Sequence, residues 1–458
     1  MRFRTISATA VLALSVAACG QSSSGGDGGG TIELSITLNA IAGGKNAKSA
    51  AYIQNWVIPK FEAAQKAKGK DVKVKFIPSG VDDEQYKTKL SLDLKSGKGA
   101  DVMDIDGIWA GEFAEAGYIK PLSEVVGPEA DSWEGWSQIP DAVQGLATYN
   151  GKKVGLPYGT DGRVLYFNKT LMAKAGLPED WQPKSWQEIL DAGGKLKAAG
   201  VPVPIQINAG TAMGEATSMQ GVLPLLAGAG GEIQSGGKWS GASQPLKDAL
   251  GLYQKIYSQG LGDPKLQQEA KGRDKSFAQF AEGKIGILME GDYFWRGVVN
   301  PTDGVAKMAE RDKVVGYAMI PAMDAGKGIR GQDFVSMSGG SIRAINPGSE
   351  NPKEAFELLA FTLSPEGLKE ETKGNTRITP RTDVNKEILA GDPLLTFISE
   401  KVLPVTAYRP PVAVYPQVSA ALQEATAAVV GGTAPDAAAA EYQKKLEGLV
   451  GGAGNVAS

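Results

Sequence analysis

Three short stretches of this chain set carboxylates close to aromatic rings. Asp104, Asp106 and Trp109 form the first, Tyr158, Asp161 and Arg163 the second, and Glu290, Asp292, Tyr293 and Trp295 the third and densest. Such residues can do two kinds of chemistry. A pair of carboxylates held about 5 to 10 Å apart can cleave an acetal linkage, and Asp104 with Asp106 or Glu290 with Asp292 could form one. Alternatively, carboxylates and an arginine supply directional hydrogen bonds while Trp or Tyr offers a flat face, the combination that grips a hydroxylated ring. Each stretch also has a plainer explanation. Asp161 and Arg163 could be a hinge ion pair, Asp104 a cap or turn residue, and the third stretch a buried cluster, although carboxylates are rarely fully buried without a partner. Gly339 and Gly340 either let backbone N–H groups approach a ligand or form a strand bulge.

The elements that must position these residues follow from apolar periodicity. Residues 31–38 alternate, with Ile32, Leu34, Ile36 and Leu38 on one side, as in a half-buried strand. Ile53, Trp56, Val57, Phe61 and Ala64 keep a helical period that Pro59 should kink or restart. Residues 72–77 and 100–105 read as strands around a helix at 82–96, whose acidic start at Asp82, Asp83 and Glu84 suits a helix dipole. Strand, helix, strand, helix, strand is the rhythm of a parallel sheet covered by helices. Such sheets bind ligands beyond the carboxyl ends of their strands, where Asp106 and Trp109 fall. Glu290 to Trp295 follow the apolar strand 285–289 in the same way. Ser185 and Glu188 form a capping-box pattern, 203–207 is a strand weakened by Pro204, and Asn351-Pro352 opens another helix. Between the halves, glycines 159 and 162 flank Asp161 ahead of the apolar run 164–167, a crossover between two bodies of structure.

Composition removes several classes of function. The 458 residues suffice for two or three globular units, and 42% hydrophobic residues suffice for their cores. A formal charge of -3 gives no electrostatic case for nucleic acid. Histidine is wholly absent, so the commonest general base and metal ligand is missing, and any catalysis would rest on carboxylates, lysine or tyrosine. Catalysis is not excluded on this ground, and no cofactor or metal is expected. Arg2 and Arg4 precede an apolar run too short to span a bilayer, which reads as an export signal over residues 1–18. The single cysteine, Cys19, can form no internal disulfide, and residues 19–30 form a Ser/Gly-rich tether.

Several of these segments carry a family resemblance. Val16-Ala17-Ala18-Cys19 resembles a bacterial lipobox, with valine where leucine is commoner. Ala100-Asp101-Val102-Met103 leading through Asp106 and Trp109 to Gly117-Tyr118-Ile119, residues 149–169, and Ser185 to Ile189 follow in order. Gly283 to Ile287, Gly316-Tyr317 to Pro321, Ser338-Gly339-Gly340, residues 355–363 and Thr379-Pro380-Arg381 complete the set. Together they resemble the extracellular sugar-binding lipoproteins of bacterial ABC importers, the maltose-binding-protein-like solute-binding proteins. Residues 210–237 and 299–313 match only loosely.

The resemblance implies an α/β, two-lobed periplasmic-binding-protein-like fold with the ligand cleft between lobes and several hinge crossings. The crossings are expected near residues 159–161, 320–321 and 362–364. One lobe would comprise residues 31–160 plus 321–363, and the other 161–320 plus 364–458. Cys19 would be lipidated, anchoring a monomer to the outer face of the cytoplasmic membrane. Its partners would be a sugar, an oligosaccharide by the number of aromatics, and the ABC permease subunits, and as a receptor it would have no catalytic group. Asp106 and Trp109 would touch the ligand, either Tyr293 or Trp295 would stack on it, and Arg381 would reach the cleft. The rivals are a lipid-anchored glycoside hydrolase using paired carboxylates, and the same scaffold binding a non-sugar solute.

Overall fold

The computed structural model describes residues 30–44, 46–81, 83–269 and 271–457. The expected signal segment, the lipidation at Cys19 and the tether up to residue 29 lie outside the described residues. Two sheets organise the chain. In the first, the strands run in the order Val72–Pro78, Ile32–Leu38, Val102–Asp106, Ser341–Ile345 and Leu156–Pro157. The first three are parallel, as the strand-helix rhythm predicts, and Ser341–Ile345 lies antiparallel to both neighbours. In the second, the order is Val315–Ala318, Arg163–Asn168, Ile285–Gly291 and Val203–Gln206.

Both sheets are covered on both faces, which explains their near-continuous apolar strands. Along Arg163–Asn168, Leu165 and Phe167 enter one core with Trp186 and Ile205, while Val164 and Tyr166 enter another with Phe280 and Phe294. In the first sheet, Val102 packs with Leu34 and Ile36, whereas Met103 and Ile105 pack with Trp109 and Phe113. A period of two thus sends neighbouring residues into different cores.

Local signals behave as physical chemistry requires. The helical run from Ala47 passes through a π-turn at Ile53–Val57, and Pro59 sits in the first turn of the piece Ile58–Ala67, where its missing N–H leaves little unmet. Ser185 accepts from the Glu188 N–H, but Glu188 accepts from the Lys184 N–H, one residue before the box position. Pro204 is tolerated because Val203–Gln206 is an edge strand.

The crossings differ in part from expectation. The chain leaves the first sheet after Pro157 and enters the second at Arg163. It returns at Gly339–Gly340 instead of at residues 320–321. Phe334–Ser338 pairs with Ile320–Pro321 and Thr406–Tyr408 in a separate small sheet, while Ser341–Ile345 joins the first. Only glycine fits this return. Gly340 has φ +147°, and a Cβ there would lie 2.0 Å from the Gly159 carbonyl oxygen, so the two passages run in contact. The last passage also comes later than residues 362–364. Leu363, Leu368 and Val384 all pack with Leu34 and Ile36, and Ile378 and Leu389 pack with Val164 and Phe294.

Candidate functional site

A cavity of about 470 Å³ opens between the two sheets, lined by Asp104, Asp106 and Trp109 from the side of the first, Arg163, Glu215, Gln220 and Arg273 from the side of the second, and Tyr158, Asp161, Gly339 and Gly340 from the crossings. Its size falls within the range usual for small-molecule sites. The strand ends explain the arrangement. Val102–Asp106 delivers Asp106 at its carboxyl end, and Gly291 pairs with Arg163 where the second sheet meets the cleft.

Asp161 and Arg163 form an ion pair at the first crossing, and Arg163 also donates to the Met337 carbonyl at 3.2 Å. Asp161 accepts from the Gly339 N–H at 2.6 Å, so the carboxylate ties the two crossings together. Burial alone would raise the Asp161 carboxyl, but Arg163, the Gly339 N–H and Arg409 together hold it below its ordinary value. The site candidate and the hinge ion pair are here the same structure.

Asp106 caps the turn Gly107–Trp109 by accepting from the Ile108 N–H at 3.0 Å, and its side chain is 45% exposed. Its carboxylate stands 4.0 Å from the Arg409 guanidinium on the far side of the cleft. Trp109 is buried against Tyr86 and Phe113, with part of its surface on the cavity. Tyr158 lies between two guanidiniums, Arg343 at 3.4 Å and Arg377 at 5.1 Å from its ring centre. Asp104 is no cap. It faces Arg343 across the strand pair, and burial pushes its carboxyl up to about 6, against the opposing pull of Arg343.

The third stretch is turned away from the cavity. Glu290 is fully buried and takes both Nε and Nη2 of Arg273, at 2.8 and 2.7 Å, and it is Arg273 that lines the wall. Asp292 is buried and held by Arg296 at 2.9 Å. Tyr293 is exposed, outside the cavity lining. Trp295 is 3% exposed, covered by Arg311 at 3.6 Å and donating from Nε1 to Asp392 at 3.0 Å. Arg381 forms a bidentate pair with Asp383 at 3.0 and 2.7 Å and donates to the Leu363 carbonyl, also away from the cavity.

Three wall residues carry no motif in the sequence. Glu215 lies in the region that matched loosely, Arg273 within a helix, and Arg409 after the short strand Thr406–Tyr408, which has no clear alternation. Arg409 bonds Glu215 at 3.1 Å, and Glu215 also accepts from Tyr415 and Ser419 at 2.6 Å each. The one available signal was Arg409-Pro410-Pro411, a cation fixed at a strand end by two prolines.

Known proteins resemble this chain along most of its length. A crystal structure of an ABC transporter solute-binding protein from Thermotoga lettingae, bound with alpha-D-tagatose, superposes with a TM-score of 0.65 at 26% identity, covering 91% of this chain and 100% of that one. A Brucella abortus (strain 2308) protein described as a binding protein is 28% identical over 302 residues, which are 65% of this chain and 66% of its own. The match thus spans just under two thirds of that relative. The diacetylchitobiose binding protein DasA of Streptomyces coelicolor is 26% identical over 288 residues, 60% of this chain and 59% of its own. A shorter match, 33% over 88 residues, joins 19% of this chain to 20% of the sn-glycerol-3-phosphate-binding periplasmic protein of Brucella abortus (strain 2308). The family described as bacterial extracellular solute-binding protein matches residues 44–369. The fold is the two-lobed one of these solute-binding proteins, and the chain belongs to the bacterial extracellular solute-binding protein family.

Proposed function

We propose that this chain captures a sugar outside the cell and delivers it to the membrane subunits of an ABC importer. The observation that carries this is the cavity between the lobes, walled from both sides by hydrogen-bonding carboxylates and guanidiniums with Trp109 beside them. Sugar hydroxyls take the charged groups as donors and acceptors, and a C–H face takes the ring. The diacetylchitobiose and tagatose ligands named for two of the similar proteins support a sugar here. A short oligosaccharide fits the volume.

The mechanism is closure of the lobes about the paired crossings at residues 158–162 and 339–340. A ligand touching both walls binds the closed form better and shifts the population toward it. The permease then recognises the closed shape. Cys19 anchors a monomer by lipid outside the cytoplasmic membrane. No helix among the described residues is long and apolar enough to cross one.

Calorimetry against mono- and disaccharides, polyols and peptides tests the reading. Saturable binding of a sugar, recovered intact, is the expected result, and micromolar affinity requires only about 8 kcal/mol. The hydrolase rival retains one pair on the cavity, Asp104 with Asp106, since Glu290 and Asp292 are each held by an arginine. Release of shorter sugars during incubation would establish the rival and sink the receptor.

A further inference from the structure

We infer that the cleft selects uncharged, hydroxyl-rich ligands and rejects sugar phosphates and other anions; the inference rests on the proposed ligand site and refines it. Among the described residues, the wall contains no cation without a counter-charge. Arg163 is paired with Asp161, Arg273 with Glu290 through two hydrogen bonds, and Arg409 with Glu215. Behind the wall each guanidinium also has a carboxylate facing it, although the Arg343 nitrogens are buried with no hydrogen-bond partner. Arg343 faces Asp104 across the strand pair, and Arg377 lies 2.8 Å from Glu371.

Among the described residues no lysine lines the cavity, and its four carboxylates (Asp104, Asp106, Asp161, Glu215) outnumber its three guanidiniums (Arg163, Arg273, Arg409). An incoming phosphate would lose water without gaining an unmatched positive charge, and it would meet Asp106 at the mouth. The helical run from Ala47 starts at the rim, where Asn46 and Ser49 line the cavity, but the Ala47 N–H is already bonded to the Gly44 carbonyl.

The polar atoms left without a partner point to the same ligand chemistry. Tyr158 Oη, Arg163 Nε, Gln220 Oε1 and Asp104 Oδ1 are buried in wall residues and have none. Two are acceptors, one is a donor, and the phenol is both. A hydroxyl group both donates and accepts, so it serves either kind. A phosphate dianion only accepts, so it would serve the donors and be repelled by the acceptors.

The test is calorimetry of the full chain, first with neutral mono- and disaccharides, then with the phosphorylated and uronic acid counterparts of the tightest binder and with sn-glycerol-3-phosphate. The anionic counterpart is expected to bind about 100-fold more weakly than the neutral sugar. Equal or tighter binding of the anion overturns the inference while leaving the receptor reading intact. Failure of every neutral and anionic sugar to bind overturns both. Glu215→Gln keeps the side-chain shape but removes the counter-charge of Arg409, and it is expected to raise the anion-to-neutral affinity ratio about tenfold. An unchanged ratio in a folded variant would show that charge balance at this wall does not set the selection.

Discussion

Two clusters of carboxylates and aromatics follow strands in this molecule, and they have opposite fates. Asp106 ends Val102–Asp106, Trp109 follows it, and both stand on the cleft, whereas Glu290 to Trp295 close Ile285–Gly291 and turn into the second lobe. What separates them is the partners each side chain finds. Glu290, Asp292 and Trp295 are taken by Arg273, Arg296 and Arg311, and Glu290 serves the site only by holding Arg273 in its wall. Asp106 keeps a 45% exposed carboxylate pointing across the gap. A carboxylate after a strand stays on the ligand site where its cation partner lies across the cleft, as Arg409 does from Asp106, and leaves it where the partner lies within its own lobe.

The comparison can be broken most severely at Glu290. Glu290→Ala strands the Arg273 guanidinium and is expected to cost about 3 to 5 kcal/mol of stability in urea unfolding. A folded variant with full stability and no sugar affinity would instead return Glu290 to the binding wall. Trp295→Ala should cost a similar 3 to 5 kcal/mol, the usual range for a buried tryptophan. Affinity of the folded fraction should hold within about twofold, and a larger loss would make its ring a ligand contact after all.

Next in size is the docking of the first cluster against the other lobe. A Cβ on Gly111 would lie 1.2 Å from the Pro411 carbonyl oxygen, two residues after Arg409. Gly111→Val should therefore oppose this contact by about 1 to 3 kcal/mol, seen as weaker sugar binding by calorimetry with little change in unfolding temperature. Unaltered affinity would mean that the contact plays no part in closure. Asp106→Asn preserves a cap for the Ile108 N–H and removes the charge, so affinity should drop about tenfold with stability unmoved. Equal affinity would place Asp106 with the structural cluster.

The smallest effect is expected from Asp104. Its buried carboxyl sits at about 6 in the folded protein, against 3.8 ordinarily. Between these values the folded state holds a proton that the unfolded chain has released. That contribution is complete below about pH 4 and is lost as pH rises through about 6. The unfolding temperature of the wild type relative to Asp104→Asn should therefore fall across that window, and a constant difference would remove the shift.

Much of this architecture was legible because it is local. Alternation in Ile32–Leu38, the cap at Ser185 and the glycines around Asp161 act through neighbouring residues, so sequence spacing reports them directly. Gly339-Gly340 was visible as a site motif, but its place as the return crossing depends on contact with Gly159, far away in the chain. Glu215 and Arg409 had no local signature, because their role comes from a pairing nearly 200 residues apart.

By itself, then, the sequence determined an α/β chain and a charged, aromatic first crossing. It drew attention alike to Asp106, Trp109, Tyr158, Asp161 and Arg163 and to Glu290, Asp292, Tyr293, Trp295 and Arg381, while the two lobes came from the family resemblance. Periodicity and glycine placement dictate the strands, helices and first crossing through backbone geometry. Only the tertiary structure decided which carboxylates face the cleft and which are neutralised within a lobe. That choice depends on where distant arginines come to rest, and the energy of a buried charge depends on its partner more than on its position in the chain.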